Sequence, residues 1–547
     1  MQPDSRKPIV CPMPPRSLSR FWPLFALTAL LVLVTAIRLR VASSPLERDE
    51  GEYAFLGQLM LQGIPPYTEA ANMKFPGTYA AFAIIEAVFG QTTEGIHHGL
   101  LVINLATILL MYHLGKVIFE RRHIALMAAT IYALSSLSYS FFGAMAHATH
   151  FVVFFGLAGV ALLLAALKGK SPPSFALAGA VTGLAYLAKQ SGFYFVPFGC
   201  LLILGSNNWR LFSVPTLRGL VYFVIGAFSP FALTVFVFQQ LGCLDSFVFW
   251  TLRYAATYGP TLADAPRYLA AHVESIVQNG LGWLFLFPGL LFFLPTVWRT
   301  TFLARRTMIL LSLFFVLSLA GVSLGLTFRQ HYWIQILPSI SLLAALFFST
   351  AGEWICRPGT RQALLAAFSF CLIFCGAVLI RESPRFFRTS PDEIVREIYG
   401  GNPFVESVTI ANFINRHSDP RDRIFVFGNE PEIYFYAKRH SASSFIYLFS
   451  LFENQPYAVK MQLQLLSEVT LNRPRYIVEA HIFGYSVALE KDFPLYQWKT
   501  AYLAEYYRPL FAFDLSSPEN KIFFGNDVRD QTLITGRFIA VWEKKSD

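Results

Sequence analysis

Charge is scarce in this sequence. Asp, Glu, Lys and Arg together supply 14% of its 547 residues, and 54% are hydrophobic. A soluble domain of that length needs far more charge to cover its surface, so a membrane protein is indicated. Cysteine is scarce as well. The six residues Cys11, Cys200, Cys243, Cys356, Cys371 and Cys375 contain no CxxC pair, and four lie in or beside apolar runs. That excludes a disulfide framework and a zinc knuckle. No A-x-A cleavage site follows the first apolar run, residues 21–37, although Arg6, Lys7, Arg16 and Arg20 precede it. The run is also longer than the core of a signal peptide, so it is expected to stay as a first membrane helix. Internal repeats and low-complexity segments are lacking.

What the chain has instead is a succession of long apolar runs. A spanning helix takes about 20 apolar residues. About eleven runs approach that length: 21–41, 98–117, 123–142, 148–167, 174–189, 192–206, 217–240, 281–298, 308–326, 332–350 and 362–380. The expected fold class is an α-helical polytopic membrane protein with a small C-terminal α/β domain. The net charge of +10 does not call for nucleic acid, because the basic residues sit in short loops between apolar runs. With residues 1–20 as a cytoplasmic tail, Lys116, Arg121, Arg122, Lys168, Lys170, Arg210, Arg218, Arg299, Arg305, Arg306, Arg357 and Arg361 all fall inside. The first loop (42–97), "GAMAHATH" (143–150), the segment 241–280 and "FRQHYW" (328–333) then fall outside.

Residues 21–380 thus read as the membrane domain. From 381 to 547 charges and Pro become frequent. Strand-like runs "RIFVFG" (423–428), "PRYIVEA" (474–480), "RPLFAFD" (508–514) and "RFIAVWEK" (537–544) alternate with helical patterns at 404–416 and 456–472. This reads as an α/β domain on the outer face. The expected location is a bacterial inner membrane, with that domain in the periplasm.

The first outer loop carries the chemistry. "PLERDEGEYAFLGQLMLQGIPPYTEAANMKFPG" (45–77) gathers Glu47, Asp49, Glu50 and Glu52 within six residues and keeps Lys74 just before Pro76. An acidic outer loop often does no more than resist crossing the membrane. Here an amphipathic stretch, "YAFLGQLMLQG", follows the acids and suits the membrane interface. A carboxylate at the edge of a low-dielectric site has its pKa pushed up and becomes a usable base near neutral pH. Lys74 suits a phosphate as a point charge. A base and a phosphate-holding cation at the lipid surface suggest a lipid-phosphate substrate.

At these residues a family resemblance appears. "RDEGEYA" followed by "NMKFPGTYAAFAIIEAVFG" resembles the polytopic glycosyltransferases of the C superfamily, in the branch of protein O-mannosyltransferases and aminoarabinose (lipid A) transferases. "FRQHYWIQILPSISLLAA" resembles a late helix of that family, and "DRIFVFGNEPEIYFYAKR" the opening of its outer domain. The resemblance runs from about residue 20 to 480. It implies transfer of a sugar from a polyprenyl-phosphate donor in the bilayer to an acceptor hydroxyl of protein, lipid or glycan, with inversion. Carried over by motif position, Asp49 is the general base, Glu50 orients it or the acceptor, and Lys74 holds the donor phosphate. Glu52 and Tyr53 join the donor-binding candidates, with Lys189 in "YLAKQSGFYF" and Arg329, His331 and Tyr332 in "FRQHYW". Lys189 also reads as a Lys that snorkels to the interface.

Two departures from the family pattern stand out. Glu52 occupies the place of a phosphate-facing Arg of the aminoarabinose transferases. Met73 stands where they have a Glu before Lys-Pro, which argues against that donor. His147 and His150 lie three apart at an outer helix end, where relatives often carry an acid, and could share a face. No third ligand is evident, which leaves a divalent metal ion open and no cofactor assigned. Glu430 and Glu432 read as a helix-start charge pair. The competing reading of the whole chain is a transporter or flippase of a lipid-linked sugar. That reading asks for inverted repeats and polar breaks at the membrane midplane, whereas the charges here lie at helix ends on one side.

Overall fold

The computed structural model describes residues 18–482, 494–516, 521–530 and 536–546. Seven helices are long and apolar enough to cross a membrane: Phe21–Arg40, Thr93–Phe119, Ala148–Gly169, Val214–Gln240, Arg305–Ser323, Gln330–Ile355 and Arg361–Phe387. Shorter apolar helices, Pro76–Phe89, Pro172–Ala188, Gln190–Ser206 and Gly282–Leu291, fill out the bundle. In chain order, the helices used below are α1 (Leu18–Arg40), α2 (Arg48–Leu61), α3 (Pro76–Phe89), α4 (Thr93–Phe119), α5 (Arg122–Ser135), α6 (Ala148–Gly169) and α7 (Pro172–Ala188). The apolar window of Gln330–Ile355 is 89% buried, so this helix forms the centre of the bundle. The Val214–Gln240 window is only 17% buried and faces outward. Small residues let α7 and Val214–Gln240 approach closely, since a Cβ at Gly179 would lie 2.8 Å from the Ala227 amide nitrogen.

Against about eleven expected apolar runs, the described residues hold seven long apolar helices and four shorter ones. Two boundaries moved for visible reasons. The run 123–142 stays helical only to Ser135 and then becomes a buried loop. Charged side chains satisfy that loop's backbone: Arg38 donates to the Ser136 and Gly143 carbonyls at 3.1 and 3.0 Å, and Glu382 accepts the Tyr139 amide at 3.2 Å. The run 281–298 breaks into Gly282–Phe285, Leu286–Leu291 and Pro295–Thr300, with Pro288 and Pro295 inside it.

The basic residues Lys116 and Lys168 lie far from the acidic motif. His97 near the start of α4 touches Glu50, and Lys116 follows nineteen positions later in the same helix, about 28 Å along its axis. α6 likewise runs from His147 towards Lys168.

The last long helix continues to Phe387, past the expected boundary at 380, because "RESPRFF" extends the apolar helix by two turns. A five-stranded sheet follows, in the order β1-β2-β5-β3-β4: β1 Ile424–Phe427, β2 Tyr476–His481, β3 Tyr507–Asp514, β4 Ile522–Phe524 and β5 Phe538–Lys544. β1 and β2 run parallel; the remaining pairs are antiparallel. All four strand-like runs became strands. β4 and the helix Pro494–Tyr506 were not foreseen.

This domain closes over α2. Phe55 stacks on Tyr434 at 5.1 Å, and the Gln58 amide donates to the Phe435 carbonyl at 3.2 Å. Gly51 lies against the backbone of Glu432, with no room for a Cβ between them. Every residue of α2 from Asp49 to Leu59 is buried. The stretch expected to float in the interface is instead sandwiched, and its mixed polarity is explained by polar partners on both sides.

Candidate active site

The local sequence sets the acidic motif in a defined geometry. Glu47 caps α2: its side chain accepts the Glu50 amide, and the Glu50 side chain accepts the Glu47 amide, each at 3.1 Å. Helical spacing then turns Asp49, Glu52 and Tyr53 to one face and Glu50 to another. On the first face Lys74 donates to Asp49 Oδ1 at 3.0 Å and to Glu52 Oε2 at 3.1 Å, and sits 4.5 Å over the Tyr53 ring. Tyr79 donates to Glu52 Oε1 at 3.0 Å. Pro76 at the start of α3 and the Tyr67 hydroxyl, donating to the Lys74 carbonyl at 2.6 Å, hold this Lys in place.

On the second face Glu50 is fully buried. Its carboxylate meets His97 Nε2 at 3.0 Å and accepts the Ala146 amide. His97 Nδ1 lies 2.6 Å from the Ala42 carbonyl oxygen, which can only accept, so Nδ1 carries a proton. Arg38 thus holds the loop 136–147 directly and His97 through Glu50, and neither was anticipated. The only signal was two His in "GIHHGL", beside the acidic side of the bundle.

The four acids are not equivalent. Burial works to raise all of them. At Asp49 the cations Lys74 and Arg329 outweigh burial and hold the carboxyl well below the usual range. At Glu50 burial is outweighed by His97 and by the Ala146 amide, so this carboxyl is also lowered. At Glu52 burial prevails over Lys74 and the pKa is raised. At Glu47 repulsion from Asp49 and Glu50 adds to burial and pushes it far up. The sequence reading expected a base with a raised pKa; for Asp49 the direction is the opposite, because the low dielectric strengthens its cation pairs more than it penalises its charge.

The second oxygen of Asp49 faces two imidazoles. His331 Nε2 is 3.7 Å from Asp49 Oδ2, and the His147 ring stacks on His331 at 4.1 Å and 11°. Asp49, His147 and His331 each offer a ligand atom within 4.8 Å of the others. Neither ring nitrogen of His147 has a hydrogen-bond partner, and burial lowers its pKa to about 4, so the imidazole is neutral. One carboxylate oxygen and two neutral imidazoles fit a divalent transition ion. His147, read as able to share a face with His150, meets His331 instead. His147 lies outside α6 as its N-cap, which frees its ring to meet His331, and His150 is not part of the group.

Asp49 opens on a narrow cleft of about 70 Å³. Arg48, Lys74, Lys189 and Arg329 all line it, as do Tyr53, His331 and Tyr332. Seven of the nine candidates for catalysis and donor binding therefore line one cleft; Glu52 stands behind Lys74, and Glu50 is turned away towards His97. Lys189 sits 3.5 Å over the Tyr332 ring, and Arg329 donates to the Tyr258 hydroxyl at 3.4 Å. Neither makes an ion pair among the described residues. Sequence reasoning missed the opposite wall, made by Trp250, Tyr254 and Tyr258 and by Tyr447, Phe449 and Ser450 of the C-terminal domain. It also missed Arg48, which donates to the Asn429 carbonyl at 2.6 Å and to Asn402 at 2.9 Å and pairs with Glu430 at 3.4 Å. Glu430 and Glu432 do stand at a helix start, that of Glu432–Ala437, and both are buried there; Glu432 accepts the Ser407 hydroxyl at 2.7 Å.

No curated protein matches the chain by sequence. Residues 74–233 match the family model described as dolichyl-phosphate-mannose-protein mannosyltransferase. Among solved structures, ArnT from Cupriavidus metallidurans in the apo state aligns with a TM-score of 0.55 at 14% identity, over 96% of this chain and 98% of that one. The same enzyme bound to undecaprenyl phosphate aligns at 0.53 and 12% identity, over 95% and 98%. The oligosaccharyltransferase of Archaeoglobus fulgidus, tethered with an acceptor peptide, aligns at 0.53 and 14% identity, over 95% of this chain and 76% of that one. The chain is thus similar in fold to these polytopic membrane enzymes over nearly its whole length, and in sequence to the mannosyltransferase model over residues 74–233.

Proposed function

We propose that this protein is an integral-membrane glycosyltransferase that moves a sugar from a polyprenyl-phosphate donor to an acceptor hydroxyl. The observation that carries the proposal is one cleft in which Asp49, held ionised by Lys74, faces two half-buried cations, Lys189 and Arg329, that form no ion pair among the described residues. Cations drawn partly out of water without an ion-pair partner favour an anion, and a lipid phosphate supplies one. The undecaprenyl phosphate bound by the Cupriavidus metallidurans enzyme supports a donor of this class. The cleft lies at the end of the bundle away from Lys116 and Lys168, which by the positive-inside rule supports a reaction and a C-terminal domain on the outer face. A bacterial inner membrane suits that arrangement.

In the reaction the acceptor oxygen attacks the anomeric carbon while the bond to the phosphate oxygen breaks on the opposite side, which inverts the centre. The acceptor proton passes to Asp49, and the polyprenyl phosphate leaves with the electron pair. Asp49 is a weak base while three cations face it. Donor phosphate bound to Lys74, Lys189 and Arg329 neutralises part of that field and raises its basicity when the acceptor arrives. The same cations stabilise the charge that grows on the leaving phosphate. Glu50, locked by His97, keeps the start of α2 in register. A divalent ion held by Asp49, His147 and His331 would add positive charge beside the phosphate.

The test is transfer from radiolabelled polyprenyl-phosphate sugars in membranes holding wild-type protein or Asp49→Asn at equal levels. Transfer is expected to fall by at least about a hundredfold in the variant. Equal transfer by both proteins removes Asp49 as the base. Movement of the lipid-linked sugar between leaflets without transfer makes the chain a flippase.

A further inference from the structure

A second cleft, of about 330 Å³, opens on the C-terminal domain at the junction of helix Pro494–Tyr506 with β3. Trp498, Tyr502 and Tyr506 line it at every fourth position of that helix, and Tyr507 begins the strand. The Trp498 and Tyr502 rings stack at 4.5 Å and 17°. Tyr506 lies 5.1 Å and Tyr507 5.5 Å from the Tyr502 ring. Arg473, Glu505 and Lys544 supply charge at its edges. None of this belongs to the cleft at Asp49, which is built from other residues.

The ring ladder is not a hydrophobic core left open. Tyr502 is buried and Tyr507 is pinned by its hydroxyl, which donates to the Pro474 carbonyl at 2.8 Å. Tyr506, in contrast, is 47% exposed, and Glu505 and Arg473 are exposed beside it. Trp498 and Tyr506 border water, held by the buried Tyr502 and Tyr507 behind them, and with ionic groups at the rim they suit a ligand that is apolar on its faces and polar at its edges. A pyranose ring has that character: its C–H faces stack on aromatics and its hydroxyls reach the rim. Trp498 to Tyr506 spans about 12 Å of helix, the length of roughly two to three linked sugars. A folded protein partner would ask for a broad patch of about 800 Å² rather than a slot.

We propose that this cleft is a glycan-binding site, one that holds an oligosaccharide chain away from the transfer centre. Titration of the full-length protein in nanodiscs with mannotetraose, chitotetraose and tetragalacturonic acid tests it, read by saturation-transfer NMR. At least one of the three is expected to bind, with affinity reduced about tenfold by Trp498→Ala and by Tyr506→Ala. The exposed Tyr506 can be truncated without disturbing the fold. Asp49→Asn is expected to abolish transfer and leave this binding unchanged, which separates the two sites. No binding of any of the three up to about 10 mM overturns the proposal. So does binding that both alanine variants retain in full.

Discussion

The acidic motif contains one residue whose replacement tests the architecture rather than the chemistry. Gly51 sits between Glu50 and Glu52 on α2, with the C-terminal domain pressed against it. A Cβ at this position would lie 2.5 Å from Glu432 Cα and 2.6 Å from its amide nitrogen, whereas ordinary contact begins at 3.4 Å. Both are backbone atoms, so no rotamer change relieves the clash. In Gly51→Ala, α2 and the domain must separate by up to about 0.9 Å. Overpacking of this kind costs about 1–3 kcal/mol. The displacement falls on the turn that carries Asp49, and an error near 1 Å in a reacting group can cost about a hundredfold in rate. Gly57→Ala is the control. There the added methyl meets Glu86 Oε1 at 2.5 Å, the end of a side chain, and the Ala83 amide nitrogen at 3.0 Å. The assays are thermal unfolding and single-turnover transfer in nanodiscs. Gly51→Ala is expected to lower Tm and cut the chemical step by one to two orders of magnitude, with Gly57→Ala close to wild type. Wild-type behaviour of Gly51→Ala, or equal losses in both, refutes the argument that the domain positions the motif.

Three further outcomes are expected. His97→Ala leaves a buried Glu50 without its imidazole partner, a loss of about 1–3 kcal/mol, and should lower kcat more than it raises KM; an unchanged kcat would show that Glu50 needs no anchor. Glu432 is pushed up to about 8 by burial and by Glu430, so the folded protein binds a proton there that the unfolded chain has released. Its contribution to stability is complete below about pH 4.3 and is lost as pH rises towards 8; Glu432→Gln should therefore flatten the fall of Tm between about pH 5 and 8, and a parallel fall in both proteins would contradict it. Chelation with EDTA should abolish transfer, with Mn²⁺ restoring it in wild type and failing in His147→Ala; full activity in EDTA would show that Asp49, His147 and His331 act without an ion.

Much of the site could be read in advance because its residues lie close together in the chain or at helix ends. Asp49, Glu50 and Glu52 share one turn of helix, and Lys74 stands against Pro76, so their chemistry follows from local spacing. Arg329, His331 and Lys189 were readable as cations and polar groups at helix ends on one side of the bundle. That His147 faces His331 rather than sharing a face with His150 depends on where the helix starts, which local spacing does not show. His97 and Arg38 act across the bundle, on residues about 50 and 100 positions away, and no local pattern announces such contacts. Asp49's low pKa was missed for the same reason. Local sequence showed the apolar setting that raises it, but only the fold brings Arg329 to its side.

The sequence by itself determined that the chain crosses a membrane many times, that its acids and stray cations gather at one end, and that its tail forms an α/β domain. These follow from hydropathy and charge, which act residue by residue. Tertiary structure alone decided that α2 is clasped by that domain, that Asp49 stays ionised among half-buried cations, and that two histidines gather beside it. Each depends on distances between segments remote in sequence, and electrostatics in a low-dielectric interior changes sign over a few ångströms of packing.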